Sequence, residues 1–357
     1  MTTKSLVILG AAAAVLGGAA YFCNSGRKIQ APSVNGKQVL PDFDVSDVAK
    51  VDIGGERKLT LAASDAGWTI DTLHGYPADV TKIRENLLKL KDLTVGQSAN
   101  GQKIDAGTLV EIKDAKGKVL ASATLGGKHM SKQRGQSPYG GGSYPDGRYV
   151  KYGDGVVLVK DTLDAFDGDP KKWCESRICS VPSSDVKAVT YTKSGETVKL
   201  SRKDSTWTLE GLGDKEELDS SKTYSLDSAL SYLDFSSVAD PKRPEAEFGF
   251  ATGSVYTVSL KNGQTYTAKV GDASGADRYF KVSASFSPVG TNATENASLE
   301  KAVKDFNDKT GKWTYLISSY SADSMSKARK DLVKAKEEPK KEETKKDEPK
   351  KDEKKEK

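Results

Sequence analysis

The sequence predicts an α+β fold: two tandem repeated modules, each an antiparallel β-sheet packed against a helix, after an N-terminal transmembrane or signal helix. Three observations carry this. Short stretches recur in the same order about 140 residues apart. Each copy reads as strands and turns around one amphipathic helix. An uncharged run opens the chain. The organisation that follows is an anchor at 1–30, modules at 44–182 and 183–322, and a short helix with a Lys/Glu-rich tail at 323–357. The 357 residues include 55 Lys or Arg and 50 Asp or Glu, a formal charge of +5. Residues 327–357 hold 14 and 10 of these, so the body is close to neutral and has no nucleic-acid footprint. Apolar residues make up 36% of the chain, which suits small, surface-rich modules better than one large core.

Residues 6–23 (LVILGAAAAVLGGAAYFC) carry no charge over 18 positions. As a helix this run spans about 27 Å, just short of a ~30 Å hydrocarbon core. Its position at the terminus, before a polar stretch, favours an uncleaved membrane anchor with the body on the extracytoplasmic, periplasmic side. A cleaved signal leaving after Gly18-Ala19-Ala20 is one alternative. Lipidation of Cys23 is another, with bulky Phe22 against it. Arg27 and Lys28 pull toward the opposite orientation.

The repeat is read from residues. Asp47-Val48-Ala49-Lys50-Val51 returns as Asp185-Val186-Lys187-Ala188-Val189, and Trp68-Thr69-Ile70 as Trp207-Thr208-Leu209. Asp79 with Leu90 and Leu93 matches Asp219 with Leu230 and Leu233. Leu125-Gly126 matches Val270-Gly271, Arg148-Tyr149 matches Arg278-Tyr279, and Trp173 matches Trp313. Each copy begins with a hairpin turning at Gly54-Gly55 or Ser194-Gly195, then a strand carrying the Trp. Asp79 or Asp219 caps the helix that follows. Val80, Ile83, Leu87, Leu90 and Leu93 fall on one helical face; Leu226, Leu230 and Leu233 do so less cleanly. A second hairpin turns at Gly117 or at Asn262-Gly263, with short helices expected at 162–166 and 299–306. The first copy has a longer Gly- and Tyr-rich loop at 129–147.

The four tryptophans, Trp68, Trp207, Trp173 and Trp313, read as the repeat core, filling the gap between sheet and helix. The competing reading is a set of platforms that stack on a ligand. Candidate chemistry fails: the sequence assigns no catalytic, cofactor-binding or metal-binding residue and implies no cofactor. His74 and His129 stand alone, without zinc spacing. Asp161, Asp164, Asp167 and Asp169 come nearest to a metal cluster but miss the calcium-loop register, so helix-end acids are favoured. Cys174 and Cys179 are a disulfide candidate if the body is exported; otherwise they are two buried thiols. From Glu337 the tail alternates acid and lysine pairs and is expected to be disordered, acting as a solvated spacer. A helix over 323–336 would set Met325, Ala328 and Leu332 on one side.

Glu196-Thr197-Val198-Lys199-Leu200, Thr206-Trp207-Thr208-Leu209, Glu247-Phe248-Gly249-Phe250, Val270-Gly271 and Arg278-Tyr279 follow one another after the anchor. In this the chain resembles an uncharacterised bacterial family of membrane-anchored envelope proteins with a domain of unknown function. The resemblance implies association with ABC-type transport systems of the gliding-motility auxiliary kind, and it implies no catalytic residue. Ala251-Thr252-Gly253 stands where the family has Pro soon after the Gly step. The reading is therefore a non-enzymatic, membrane-anchored envelope protein acting as an interaction or scaffold module. Its partners would be the membrane, through the N-terminal helix, and an envelope protein such as an ABC-type transporter component. The alternative is a carbohydrate- or peptidoglycan-binding protein using Tyr139, Tyr144 and Tyr149; a carboxylate hydrolase ranks last.

Overall fold

Alternating apolar residues, broken by tight turns, build the first sheet. A computed structural model describes residues 34–132, 142–193 and 195–336. The chain divides into two compact units, Met1–Glu175 and Ser176–Lys357. In the first, Val51, Ile53, Leu59 and Leu61 point to one side of β1 (Lys50–Gly54) and β2 (Lys58–Ser64) and are buried there. The Trp68 strand is β3 (Gly67–Ile70), followed by β4 (Tyr76–Pro77), α1 (Val80–Lys91) and β5 (Gln97–Ser98). The remaining strands are β6 (Thr108–Lys113), β7 (Val119–Lys132), β8 (Ser143–Tyr152) and β9 (Gly155–Val159). Together they form a nine-stranded antiparallel sheet in the order β4-β3-β2-β1-β6-β7-β8-β9-β5.

The second unit begins with β10 (Arg177–Cys179), β11 (Val186–Lys193), β12 (Glu196–Lys203), β13 (Thr206–Leu209) and β14 (Glu216–Leu218). After α2 (Tyr224–Asp227) come β15 (Leu233–Asp234), β16 (Ser237–Val238), β17 (Ser254–Leu260), β18 (Gln264–Ser274) and β19 (Asp277–Phe286). α3 (Ala293–Thr310), β20 (Tyr315–Ser318), α4 (Ser319–Asp323) and β21 (Val333–Ala335) complete it. Its main sheet runs β13-β12-β11-β17-β18-β19-β20-β16, with β10-β15 and β14-β21 as separate pairs. β10 pairs with β15, which draws the link into the second unit. The division falls at Glu175/Ser176.

The α+β expectation is overturned. The described chain is mostly antiparallel β sheet with few helices, and no sheet-plus-helix module is repeated. What recurs is the path of strands. The helices differ in length and place. α1 has 12 residues, with Asp79 accepting from the backbone N–H of Thr81 and Lys82, and it buries Ile83, Leu87 and Leu90 while Val80 stays exposed. The matching stretch of the second unit gives only the four residues of α2. Its serines and threonine bond to nearby carbonyls instead: Thr223 to Ser220, Ser225 to Lys222 and Ser228 to Tyr224. Such local bonds compete with helix propagation. α3 has 18 residues, is capped by Asn292, and reaches the edge of β19 through Asn307. The Asn307 amide donates to Ala284 O and accepts from Ala284 N–H, both at 2.8 Å, closing the ladder beyond the reach of β20.

Two further corrections concern shorter pieces. The helix expected at 162–166 is a pair of 3-10 turns, Asp164–Asp167 and Pro170–Lys172. The helix expected over 323–336 is a strap that buries Met325 and Leu332 and ends by pairing β21 with β14. The expected anchor at 6–23 with Cys23, residue Tyr139 and the tail from Glu337 lie outside the described residues. No helix among the described residues is long and apolar enough to cross a membrane.

Candidate functional site

The same serine-rich stretch that interrupts the helix builds the most distinctive cleft of the second unit. It has a volume of about 530 Å³ and collects Ser183, Ser228, Ser231 and Ser321 with three tyrosines, Tyr224, Tyr232 and Tyr320. No charged residue lines it. The tyrosines are 74, 79 and 87% exposed, far above what ring burial favours in a folded chain. The turn of α2 sends Leu226 and Asp227 inward and leaves Tyr224 outside. Arg177, bonded to Asp234 at 2.7 Å, lies 5.1 Å from the Tyr232 ring centre and braces it. The wall at Ser183 and Ser184 is fixed from behind, because Arg202 donates to both carbonyls and Lys261 donates to Ser184 O at 2.8 Å. The Ser231 hydroxyl is buried with no hydrogen-bond partner among the described residues. An unmet buried hydroxyl costs about 1–3 kcal/mol, which a bound group or water recovers. The cleft is thus uncharged and rich in rings and hydroxyls.

Beneath α2, burial pushes the Asp227 carboxyl up, against the pull of Trp207 Nε1 and Arg202. Its second oxygen has no partner among the described residues. A larger trough in the first unit, about 750 Å³, runs beside α1 and is walled by Glu85, Lys89, Asp92, Lys160 and Asp161. Its mixed charges are those of an ordinary solvated helix face.

The residues singled out in the sequence are scattered. Trp173 is wholly buried, donates from Nε1 to Ala165 O at 3.0 Å, and meets Phe166 edge-on. Trp68, Trp207 and Trp313 are only half-buried, so the four do not share one environment. Trp207 carries Arg202 over its ring, whereas Trp313 edges a small hollow beside Lys281. Cys174 and Cys179 are both buried, free thiols, and burial pushes each up to about 12. The aspartates of 161–169 are structural. Lys128 reaches Asp164 at 2.5 Å and Asp167 at 2.9 Å, Asp161 accepts from Leu163 N–H, and Asp169 caps a 3-10 turn. No group able to hold a metal occurs among the described residues. His129 bonds Asp146 at 2.5 Å and meets Tyr149 edge-on, while Tyr144 is half exposed, so these two tyrosines form no shared platform. Tyr224, Tyr232 and Tyr320 were not singled out. The signal they carried was serine recurring every few residues between aromatic rings, in two stretches far apart in sequence.

Residues 68–251 match the family model described as Domain of unknown function (DUF4340). No curated protein and no solved structure matches the chain.

Proposed function

The chain belongs to the DUF4340 family, and from that premise we propose that it is a non-enzymatic interaction protein of the cell envelope. In this reading residues 6–23 anchor it in the membrane, and the body lies on the extracytoplasmic side. Its docking site is the serine–tyrosine cleft, and its partner is a protein component of an ABC-type transport assembly. The observation that carries the reading is the cleft lining. Exposed tyrosines offer large, stiff contact area at low entropic cost, and serines offer adaptable hydrogen bonds, the combination that antibody paratopes favour. A neutral lining fits an uncharged segment of the partner. The test is co-purification of the full chain with a transporter subunit from detergent-solubilised membranes. Y224A/Y320A is expected to lose that subunit while keeping the wild-type thermal midpoint, because both side chains are largely solvated. Undiminished recovery of the subunit with the double variant would contradict the assignment of the cleft.

A further inference from the structure

The two main sheets share one irregularity. The register slips between Leu125 and Lys128 in the β7–β8 pair, and between Val270 and Ala273 in the β18–β19 pair. Each bulge frees a glycine carbonyl from its ladder, and an arginine on the next strand takes it. Arg148 Nε donates to Gly126 O at 2.9 Å, and Arg278 Nη1 donates to Gly271 O at 3.2 Å. Beyond that bond the two arginines differ. Arg148 is 5% exposed, and its Nη1 also donates to Thr162 O, Leu163 O and the Asp167 carboxylate, the last at 2.7 Å. Asp167 arrives on the turn that follows β9. In the second unit α4 follows β20 instead, and no ion pair joins its Asp323 to Arg278. The bond to Gly271 is Arg278's one hydrogen bond among the described residues, and it has no ion pair there.

Arg278 instead borders a cavity of about 170 Å³, lined by Lys193, Thr252, Ser254, Asp272, Arg278 and Asp323, in which neither acid is ion-paired with it. Lys193 is committed to Ser326 O at 2.7 Å. The Asp272 carboxylate lies against Gly249, where a Cβ would stand 2.2 Å from its Cγ. A Cβ on Gly253 would stand 2.0 Å from Val270 O, so the chain is closely packed there too. The guanidinium of Arg278 keeps donors to spare. We propose that the cavity is a carboxylate-binding site, taking from a ligand the group that Asp167 supplies inside the first unit. The ligand is a peptide, and the group is either an acidic side chain or a free C-terminal carboxylate. The assignment rests on Arg278 and stands apart from the serine–tyrosine cleft, although α4 borders both: Tyr320 and Ser321 face the cleft, and Ala322 and Asp323 face the cavity.

The experiment follows the arginine Nε–Hε resonances of 15N-labelled full chain in detergent micelles. The signal of Arg278 is assigned from its loss in R278Q or, should that variant not fold, in R278K. Three matched short peptides are titrated: one with a free C-terminal carboxylate, one amidated with a single aspartate, and one amidated with asparagine. A saturable shift of the Arg278 signal is expected with one or both carboxylate peptides, and which of them acts names the source. The asparagine peptide is expected to leave it in place, and Arg148 should not respond to any of the three. R278K, which keeps the charge but loses the planar fork, is expected to bind about tenfold more weakly. No shift with either carboxylate, an equal shift with asparagine, or an equal shift with chloride at matched ionic strength would overturn the proposal.

Discussion

Cys174 and Cys179 show how burial sets reactivity. With each thiol pushed up to about 12, almost none is thiolate at pH 8. Both are expected to react with a water-soluble disulfide reagent many times more slowly in the native protein than in denaturant; fast labelling of the native state would show that these sites open. The charged residues set the pH limits of stability. Burial pushes Asp52 up, but bonds from Lys113, Thr60 and Lys50 outweigh it and hold it below the usual carboxylate range. The Lys128 ammonium lowers Asp164 in the same direction. Their stabilisation is present above the unfolded value, about 3.9, and is lost as pH falls through the lower folded values. Lys113, raised to about 12 chiefly by Asp52 and then Glu111, works at the other end. Its contribution is whole below the unfolded value of about 10.4 and is lost as pH rises through about 12. A urea midpoint flat from pH 5 to 9, falling at both extremes, is the expected profile. Arg148→Ala leaves three carbonyls without their donor and Asp167 with Lys128 alone, and is expected to cost about 1–3 kcal/mol by denaturant titration.

Strands and helices were not equally legible. The hairpins at Gly54-Gly55 and Asn262-Gly263 carry their own turn chemistry, and alternation around them marks the strands. Two- and three-residue strands such as β5, β15 and β21 have no periodicity to read, because their existence depends on a partner far along the chain. The helices after Asp79 and at 299–306 formed, and others failed in the other direction. Apolar spacing at Leu226, Leu230 and Leu233 suggested a helix, but these side chains are buried from a succession of turns in which serine hydroxyls take the carbonyls. The strap from Met325 to β21 is the clearest case of tertiary context prevailing over local pattern. Leu332 is wholly buried, and Leu332→Ala is expected to destabilise the second unit by about 2–5 kcal/mol and to expose β14 to hydrogen exchange. Wild-type protection of β14 in that variant would mean that the strap is a passenger.

At the scale of the whole molecule, the sequence reads the tryptophans as repeat core and names Tyr139, Tyr144 and Tyr149 for the alternative, a carbohydrate-binding surface. The tyrosines of the cleft come together only after residues 224–232 and 320 fold beside each other. The compositional hint, serine between rings, is local, but its meaning is spatial. The central claim is that this cleft meets a transporter protein, and site-specific photo-crosslinking in living cells tests it most directly. A photoreactive residue at Tyr320 should give an adduct whose partner peptide maps to a subunit of an ABC-type transport assembly, while the same probe at exposed Val80 gives none. Crosslinking at Val80 as strong as at Tyr320, or no protein adduct at Tyr320, would contradict it.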